Sequence, residues 1–148
     1  MYTTIVVGTD GSPTATLAVQ RAAAIAAGLS AHLHVVSAHR PPGAGVIAGA
    51  EGAFAGVHGA EWSAELRTGL TTMLEAVVNE LAANGVKATG HVVDGHPVSV
   101  LLDTAKSLHA ELIVVGNKGM KGARRMLGSV PNDVAHKAAC DVLIVSTS

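Results

Sequence analysis

Two hydrophobic patterns alternate along the chain. Apolar, β-branched runs predict strands, and apolar positions at helical spacing predict helices between them. Strands are predicted over 4–9, 32–38, 86–93, 112–115 and 142–145, and helices over 13–27, 62–83, 98–109 and 130–138. This alternation predicts an α/β fold, with a single doubly wound five-stranded parallel sheet and helices on both faces.

Local signals define several helix ends. Ser12 followed by Pro13 is typical of an N-cap and first helical position. Gly28 is predicted to end the first helix, and Asn84-Gly85 the second. Residues 41–60 are rich in glycine and alanine, and we predict a flexible loop there because no shift in composition follows. The 148 residues suit a single domain over 1–148.

Composition excludes several function classes. Aromatic residues make up 2% of the chain and the formal net charge is -1, which argues against a nucleic-acid partner. Apolar runs fall short of a membrane span, and the N-terminus enters a strand directly, so we expect a cytoplasmic protein without a signal peptide or membrane partner. The single cysteine, Cys140, is predicted to be a reduced core residue.

The most informative segment is the run from Gly116 to Ser129. It lies between a predicted buried strand and a helix start, and its glycines include those at 116, 119 and 128, among cations such as Lys118. Glycines let backbone N–H groups approach an anion, and a helix N-terminus adds partial positive charge. The segment therefore indicates a phosphate or nucleotide site, although the glycines also fit ordinary turns and the cations also fit solvated surface.

Parallel strands place their carboxyl ends at one edge of the sheet, where α/β proteins bind ligands. The turns at 9–12, 95–97 and 116–119, together with Ala38, are predicted to meet there. Asp10 is either a helix cap or a ligand for a ribose hydroxyl, an adenine amino group or magnesium, and Ser12 competes for the capping role. His96, and secondarily His39, are the histidines nearest this edge. His32 and His34 are predicted to be half-exposed sheet residues.

Other nucleotide and hydrolase motifs are missing from the sequence. The pattern G-x-x-x-x-G-K-S/T is absent, as are G-x-G-x-x-G after the first strand and G-x-S-x-G. Histidine spacings typical of metal sites are also absent. These absences argue against a P-loop ATPase, a dehydrogenase and a serine hydrolase.

Four segments together resemble the universal stress protein family over essentially the whole chain. These are Val6-Val7-Gly8-Thr9-Asp10-Gly11-Ser12, Val114-Val115-Gly116-Asn117-Lys118-Gly119, Gly128-Ser129-Val130-Pro131 and Asp141-Val142-Leu143-Ile144-Val145. The chain is most similar to actinobacterial single-domain members of the subclass that carries the ATP-binding signature. The resemblance implies an adenine nucleotide alpha-hydrolase-like fold.

The resemblance also implies a ligand and its contacts. The ligand is ATP or another adenine nucleotide, with AMP, cyclic AMP and an accompanying Mg²⁺ left open. Asp10 and the Ala38 backbone would contact adenosine; the other implied nucleotide-binding residues are Thr9, Val115, Gly116, Lys118, Gly119, Gly128, Ser129 and Val130. Between Gly119 and Gly128 the chain has one residue fewer than the usual family pattern, which affects the phosphate half of the site.

Family members commonly dimerise through the last strand, so the resemblance implies a homodimer. The leading hypothesis is a nucleotide-occupied switch or buffer in a stress response, with at most slow ATP hydrolysis or self-phosphorylation, for example on Ser129. The alternative is a nucleotide-free dimeric module that binds a protein partner. No catalytic or metal-binding residue is predicted. An enzyme acting on a small adenylated or phosphorylated substrate, with Asp10 or His96 as base, is the weakest hypothesis.

Overall fold

Five parallel strands form one sheet in the order β3-β2-β1-β4-β5. The computed structural model describes residues 1–41, 50–117 and 129–147. The strands are β1 (Thr4–Gly8), β2 (His32–His39), β3 (Ala88–Asp94), β4 (Leu112–Gly116) and β5 (Asp141–Val145); the helices are α1 (Pro13–Leu29), α2 (Ala50–Ala83), α3 (Pro97–Ser107) and α4 (Val130–Lys137). Strands and helices alternate, which confirms the predicted α/β class.

β1 is the central strand and is buried on both faces. Ile5, Val6 and Val7 have no exposed surface. Ile5 and Val7 pack in a cluster with α1 and α2, whereas Val6 packs in a second cluster with α3 and α4. A strand covered on both faces carries a continuous apolar run rather than an alternating one. The sheet is therefore doubly wound, as predicted.

α1 packs on the sheet through small side chains. Its buried residues are Ala15, Ala18, Val19, Ala22, Ala23 and Ala26. The prediction that Gly28 ends the helix is wrong, because the helix continues to Leu29 and Ser30 adopts the left-handed cap conformation with φ 54°. Gly28 is exposed with open space around it, so a helical glycine is tolerated there at a cost of about 1 kcal/mol. Leu29 packs against the core and extends the helix.

α2 begins at Ala50 rather than at Trp62. The flexible loop predicted over 41–60 is therefore wrong for residues 50–60, while residues 42–49 lie outside the described residues. Alanine is the strongest helix former, and it outweighs the glycines in this stretch. The predicted end at Asn84-Gly85 is confirmed, with Gly85 at φ 79°. Within the described ranges, no helix is long and apolar enough to cross a membrane.

Cys140 is a free, half-buried cysteine. It packs against the α3/α4 core cluster. Burial, followed by the nearby Asp141 carboxylate, raises the pKa of its thiol. The side chain is therefore a protonated thiol at neutral pH, which agrees with the predicted core role.

Three histidines cluster on β2 and β3. His34 Nδ1 lies 2.9 Å from His91 Nε2, and the rings of His32 and His34 stack with centroids 4.1 Å apart. His32 is half-exposed as predicted, but His34 is only 8% exposed, which contradicts its predicted half-exposure. Burial, reinforced by the charges of His32, His91 and Lys87, lowers the pKa of His34 from 6.5 to about 4. Cross-strand register produces this burial, and the isolated β2 sequence does not reveal it.

We expect the free energy of unfolding to fall as the pH is lowered from 6.5 to about 4. In this window His34 binds a proton in the unfolded chain and stays neutral in the folded one, so protons favour unfolding. Urea denaturation across this range measures the effect. His34→Gln should flatten the pH dependence, whereas the same change at exposed His136 should leave it in place. An unchanged slope in His34→Gln would contradict the assignment.

Candidate functional site

The order of the strands reverses between β1 and β4. β1 connects to β2 on one side, and β4 lies beside β1 on the other side. Connections leave the two neighbouring strands in opposite directions, which opens a crevice at their carboxyl ends. A cavity of about 170 Å³ lies there, with Gly8 and Gly116 at the ends of the two strands.

Six of the sequence-predicted site residues line this cavity. They are Thr9, Asp10, Ala38, Val115, Gly116 and Val130. Ser129 immediately precedes α4 and is the N-cap of that helix, with Oγ accepting from the Asn132 N–H at 3.4 Å. Lys118, Gly119 and Gly128 lie outside the described residues. The structure thus brings together residues from four separate segments of the chain.

The turn after β1 is stabilised by three side chains that accept hydrogen bonds from backbone N–H groups. Thr9 Oγ1 accepts from the Gly11 N–H at 3.1 Å, and Asp10 Oδ1 accepts from the Ser12 N–H at 2.9 Å. Ser12 Oγ then accepts from the Ala15 N–H at 3.2 Å and caps α1. Asp10 is exposed, and its Oδ2 accepts no hydrogen bond from the described residues. Ser12 therefore caps the helix, and Asp10 orders the turn while keeping one oxygen available to a ligand.

Three helices begin at the cavity. Thr14 and Ala15 of α1, Pro97 of α3, and Val130 and Pro131 of α4 all line it. Each helix N-terminus carries unpaired backbone N–H groups and a partial positive charge. Among the described residues lining the cavity, Asp10 is the one charged side chain. The remaining walls are mainly apolar, so the cavity combines an apolar slot with a positive rim.

His96 is the N-cap of α3. Its Nδ1 accepts from the Val98 N–H at 3.3 Å, and the side chain is exposed. It does not line the cavity. The sequence singled out His96 because of its position in a turn at the ligand edge, and the structure assigns that turn a capping role. The cap accounts for a histidine at this position without invoking a base.

His39 lies outside the cavity as well. Successive residues of a strand point to opposite faces. Ala38 therefore faces the cavity, while His39 faces α2 and is 4% exposed. Its ring contacts Asp94 on β3.

The end of β4 is braced by the C-terminal segment. Asn117 Oδ1 accepts from the Thr147 N–H at 3.0 Å and from Thr147 Oγ1 at 2.8 Å. A Cβ on Gly116 would lie 3.2 Å from Thr147 Cγ2, so the glycine allows this close approach. The sequence did not single out Asn117, because its partner lies thirty residues later in the chain.

Sequence reasoning also missed the remaining residues that line the cavity, most of which are apolar. These are Gly8, Thr14, Ala15, Val36, Val100, Leu101 and Pro131, with Pro97 anticipated only as part of a turn. Most of them are residue types that build a hydrophobic core. In the sequence they therefore cannot be told apart from neighbouring residues that pack in the core. The only available signal was position, since several lie within a few residues of the predicted carboxyl edge.

A parallel sheet in this order, with a cavity at the reversal point and helix N-termini around it, defines a doubly wound α/β protein. The model of the Universal stress protein family matches residues 1–146. Universal stress protein Rv1636 of Mycobacterium tuberculosis (strain ATCC 25618 / H37Rv) is 40% identical over 152 residues, covering 99% of this chain and 98% of the relative. The chain belongs to the universal stress protein family.

Solved structures agree with this assignment. A universal stress protein in complex with cAMP has a TM-score of 0.74 and 34% identity, covering 99% of this chain and 98% of the other. The universal stress protein from Archaeoglobus fulgidus in complex with dAMP has a TM-score of 0.59 and 25% identity, covering 97% of each chain. These two relatives therefore have adenine nucleotides as their ligands.

We expect Asn117→Ala to destabilise the protein by about 1–3 kcal/mol, because it leaves two donors of the buried Thr147 without their acceptor. Chemical denaturation measures the loss. Asn117→Asp keeps an acceptor oxygen of the same shape and should retain most of the stability. Equal losses in the two variants would show that the hydrogen bonds are not what Asn117 contributes.

Proposed function

We propose that this chain binds an adenine nucleotide in the cavity between β1 and β4. The observation that carries the proposal is the convergence of three helix N-termini on a mainly apolar cavity, in which Asp10 is the acidic side chain among the described lining residues. An adenine nucleotide has matching parts: a flat apolar base, polar ribose and amino groups, and anionic phosphate. The cAMP and dAMP complexes of the related proteins support the same ligand class.

The described residues fit the adenosine part of such a ligand. Val36, Ala38 and Leu101 supply apolar surface for a base. Asp10 Oδ2 can accept a hydrogen bond from a ribose hydroxyl or from the adenine amino group. The cavity volume of about 170 Å³ is below the ~300 Å³ at which drug-sized ligand pockets begin, so it suits the nucleoside part rather than a whole nucleotide.

The phosphate part would lie toward the α4 N-terminus. The unpaired backbone N–H groups of that helix favour an anion, and Ser129 could offer its hydroxyl. We propose that Lys118, Gly119 and Gly128 complete this half, with the shorter segment between the two glycines setting how many phosphates fit. Among the described residues, no group of three side chains is arranged to hold a metal, so any Mg²⁺ would be held chiefly by the phosphates.

We propose a role as a nucleotide-occupied switch or buffer in a cytoplasmic stress response. Asp10 is the one ionisable side chain among the described residues that line the cavity, and it already orders the turn after β1. Rapid hydrolysis needs a positioned base and an ordered water. The arrangement therefore favours binding, with at most slow hydrolysis or self-phosphorylation.

We expect ATP, AMP or cyclic AMP to stabilise the protein against heat. A ligand at about 100 times its Kd should add ~2.7 kcal/mol, which raises Tm by about 5–10 °C for a chain of this size. Differential scanning calorimetry with each nucleotide, and with guanosine nucleotides for comparison, measures this. Comparing the rise in Tm with AMP and with ATP shows how much the adenosine half and the triphosphate half of the proposed site each contribute to binding.

Two matched pairs of variants locate the site. Asp10→Asn keeps the oxygen that accepts from Ser12 but removes the charge, and it should weaken nucleotide binding about tenfold or more. Asp103→Asn, at an exposed position on α3, is its control. Gly116→Val crowds Thr147 and should weaken binding, whereas Gly28→Val meets open space.

If no adenine nucleotide shifts the Tm of the wild-type protein, the alternative of a nucleotide-free module that binds a protein partner is favoured instead.

We also propose a homodimer through β5. This strand is one edge of the sheet, and its Leu143 and Ile144 are 37% and 44% exposed. An exposed apolar edge strand has unpaired backbone groups that favour pairing with another chain. A second copy would cover both the edge and its apolar side chains.

Leu143→Lys should convert the dimer to a monomer, because a lysine on an edge strand opposes pairing. Sedimentation equilibrium gives the mass of each species. Leu17→Lys, at a 43% exposed leucine on α1, should leave the dimer intact. A wild-type protein that sediments as a monomer at high concentration would overturn this proposal without affecting the nucleotide site.

A further inference from the structure

A second group of polar side chains lies at the carboxyl edge of the sheet, beneath α2. Ser63 Oγ lies 3.3 Å from His39 Nε2, and His39 Nδ1 lies 2.9 Å from Asp94 Oδ1. A hydroxyl, an imidazole and a carboxylate thus form a continuous series. This is the order of contacts that activates a serine nucleophile in hydrolases.

The sheet and α2 position the three groups independently. His39 and Asp94 are paired in the register of β2 and β3, so their side chains lie on the same face of the sheet. Ser63 and Arg67, one turn apart on α2, reach this face from above. The His39 side chain is 5% exposed and Asp94 is 58% exposed, so the imidazole is shielded while the carboxylate stays hydrated.

The charges of Asp94 and Arg67 determine which nitrogen of His39 can accept a proton. The hydrogen bond from His39 and the Arg67 cation lower the pKa of Asp94, which is therefore ionised at neutral pH. An ionised carboxylate only accepts hydrogen bonds, so His39 donates to it from Nδ1. In the neutral ring Nε2 then carries the lone pair and accepts the hydroxyl proton of Ser63. The tautomer needed for a general base is the one that Asp94 favours.

We propose that Ser63, His39 and Asp94 form a second functional site, in which Ser63 is a nucleophile toward activated carboxylic esters. Ser63 Oγ attacks the ester carbonyl carbon while its proton passes to His39 Nε2. The bond from that carbon to the alcohol oxygen breaks, and the alcohol leaves with the proton. Water then attacks the acyl-serine through His39, which releases the carboxylic acid and restores Ser63.

The surroundings of Ser63 indicate the class of ester. Leu66 and Trp62 are 44% and 60% exposed on the same stretch of α2 and offer apolar contact to an uncharged acyl group. Ser63 lies inside the helix, so its own N–H is committed to a helical hydrogen bond and is unavailable to an oxyanion. The site therefore acts on esters with good leaving groups rather than on amides, and turnover is slow.

The test uses the intact protein, a fluorophosphonate probe and p-nitrophenyl acetate. We expect the probe to label Ser63, located by mass spectrometry of the digested protein, and the ester to give a burst of nitrophenolate approaching one equivalent per chain. Ser63→Ala should abolish both signals. Ser107→Ala, at an exposed serine on α3, should change neither.

Two further variants test whether His39 and Asp94 activate the Ser63 hydroxyl or have a structural role alone. Asp94→Asn keeps the shape of an exposed side chain but removes the charge that orients His39, and His39→Gln retains hydrogen bonding without a base. Each should slow labelling of Ser63 by about 100-fold or more. Circular dichroism confirms that the variants are folded. Labelling elsewhere in wild type, or undiminished labelling of Ser63 in folded Asp94→Asn, would overturn the proposal.

Discussion

Burial of β1 on both faces is the constraint on which the rest of this structure depends. Its apolar run needs a strand on each side and a helix layer on each face. The chain meets this need by adding β2 and β3 on one side of β1 and then crossing to place β4 and β5 on the other. The reversal opens a crevice at the ends of β1 and β4, because the connections leave these two strands in opposite directions. The candidate ligand cavity is therefore a direct consequence of burying the central strand.

The same topology determines the electrostatics of the carboxyl edge. Each connection that leaves this edge enters a helix, so α1, α3 and α4 bring positive N-terminal ends to one cavity. Their first turns are capped by Ser12, His96 and Ser129. Because most of the buried residues of α1 are alanine, that helix packs close to the sheet. An anion bound at this edge would be stabilised by the partial positive charges of several helix N-termini at once.

Polar side chains inside the sheet have distinct physical roles. Burial of His34, whose Nδ1 lies 2.9 Å from His91 Nε2, disfavours protonation of its ring and links the stability of the fold to pH. His39 lies one residue beyond Ala38 yet faces the opposite side of the sheet, where Asp94 orients its ring toward Ser63. Strand alternation thus separates the candidate ligand cavity from the proposed Ser63 site, although both lie at the same edge.

Local residues of the sequence by themselves determined the order of elements, the parallel sheet, the caps at Ser12 and Gly85, and the turn that presents Asp10. Each of these depends on short-range chemistry: β-branched runs, capping side chains and glycine at positive φ. Only the tertiary structure decided that Val36 and Leu101 would become cavity walls, that His34 would be buried, and that Ser63 would meet His39. These outcomes depend on strand register and helix packing between residues far apart in the chain, which no local pattern encodes. The helical start at Ala50 was not predicted from the sequence, because the frequent glycines in this stretch are typical of loops, although its alanines favour the helix.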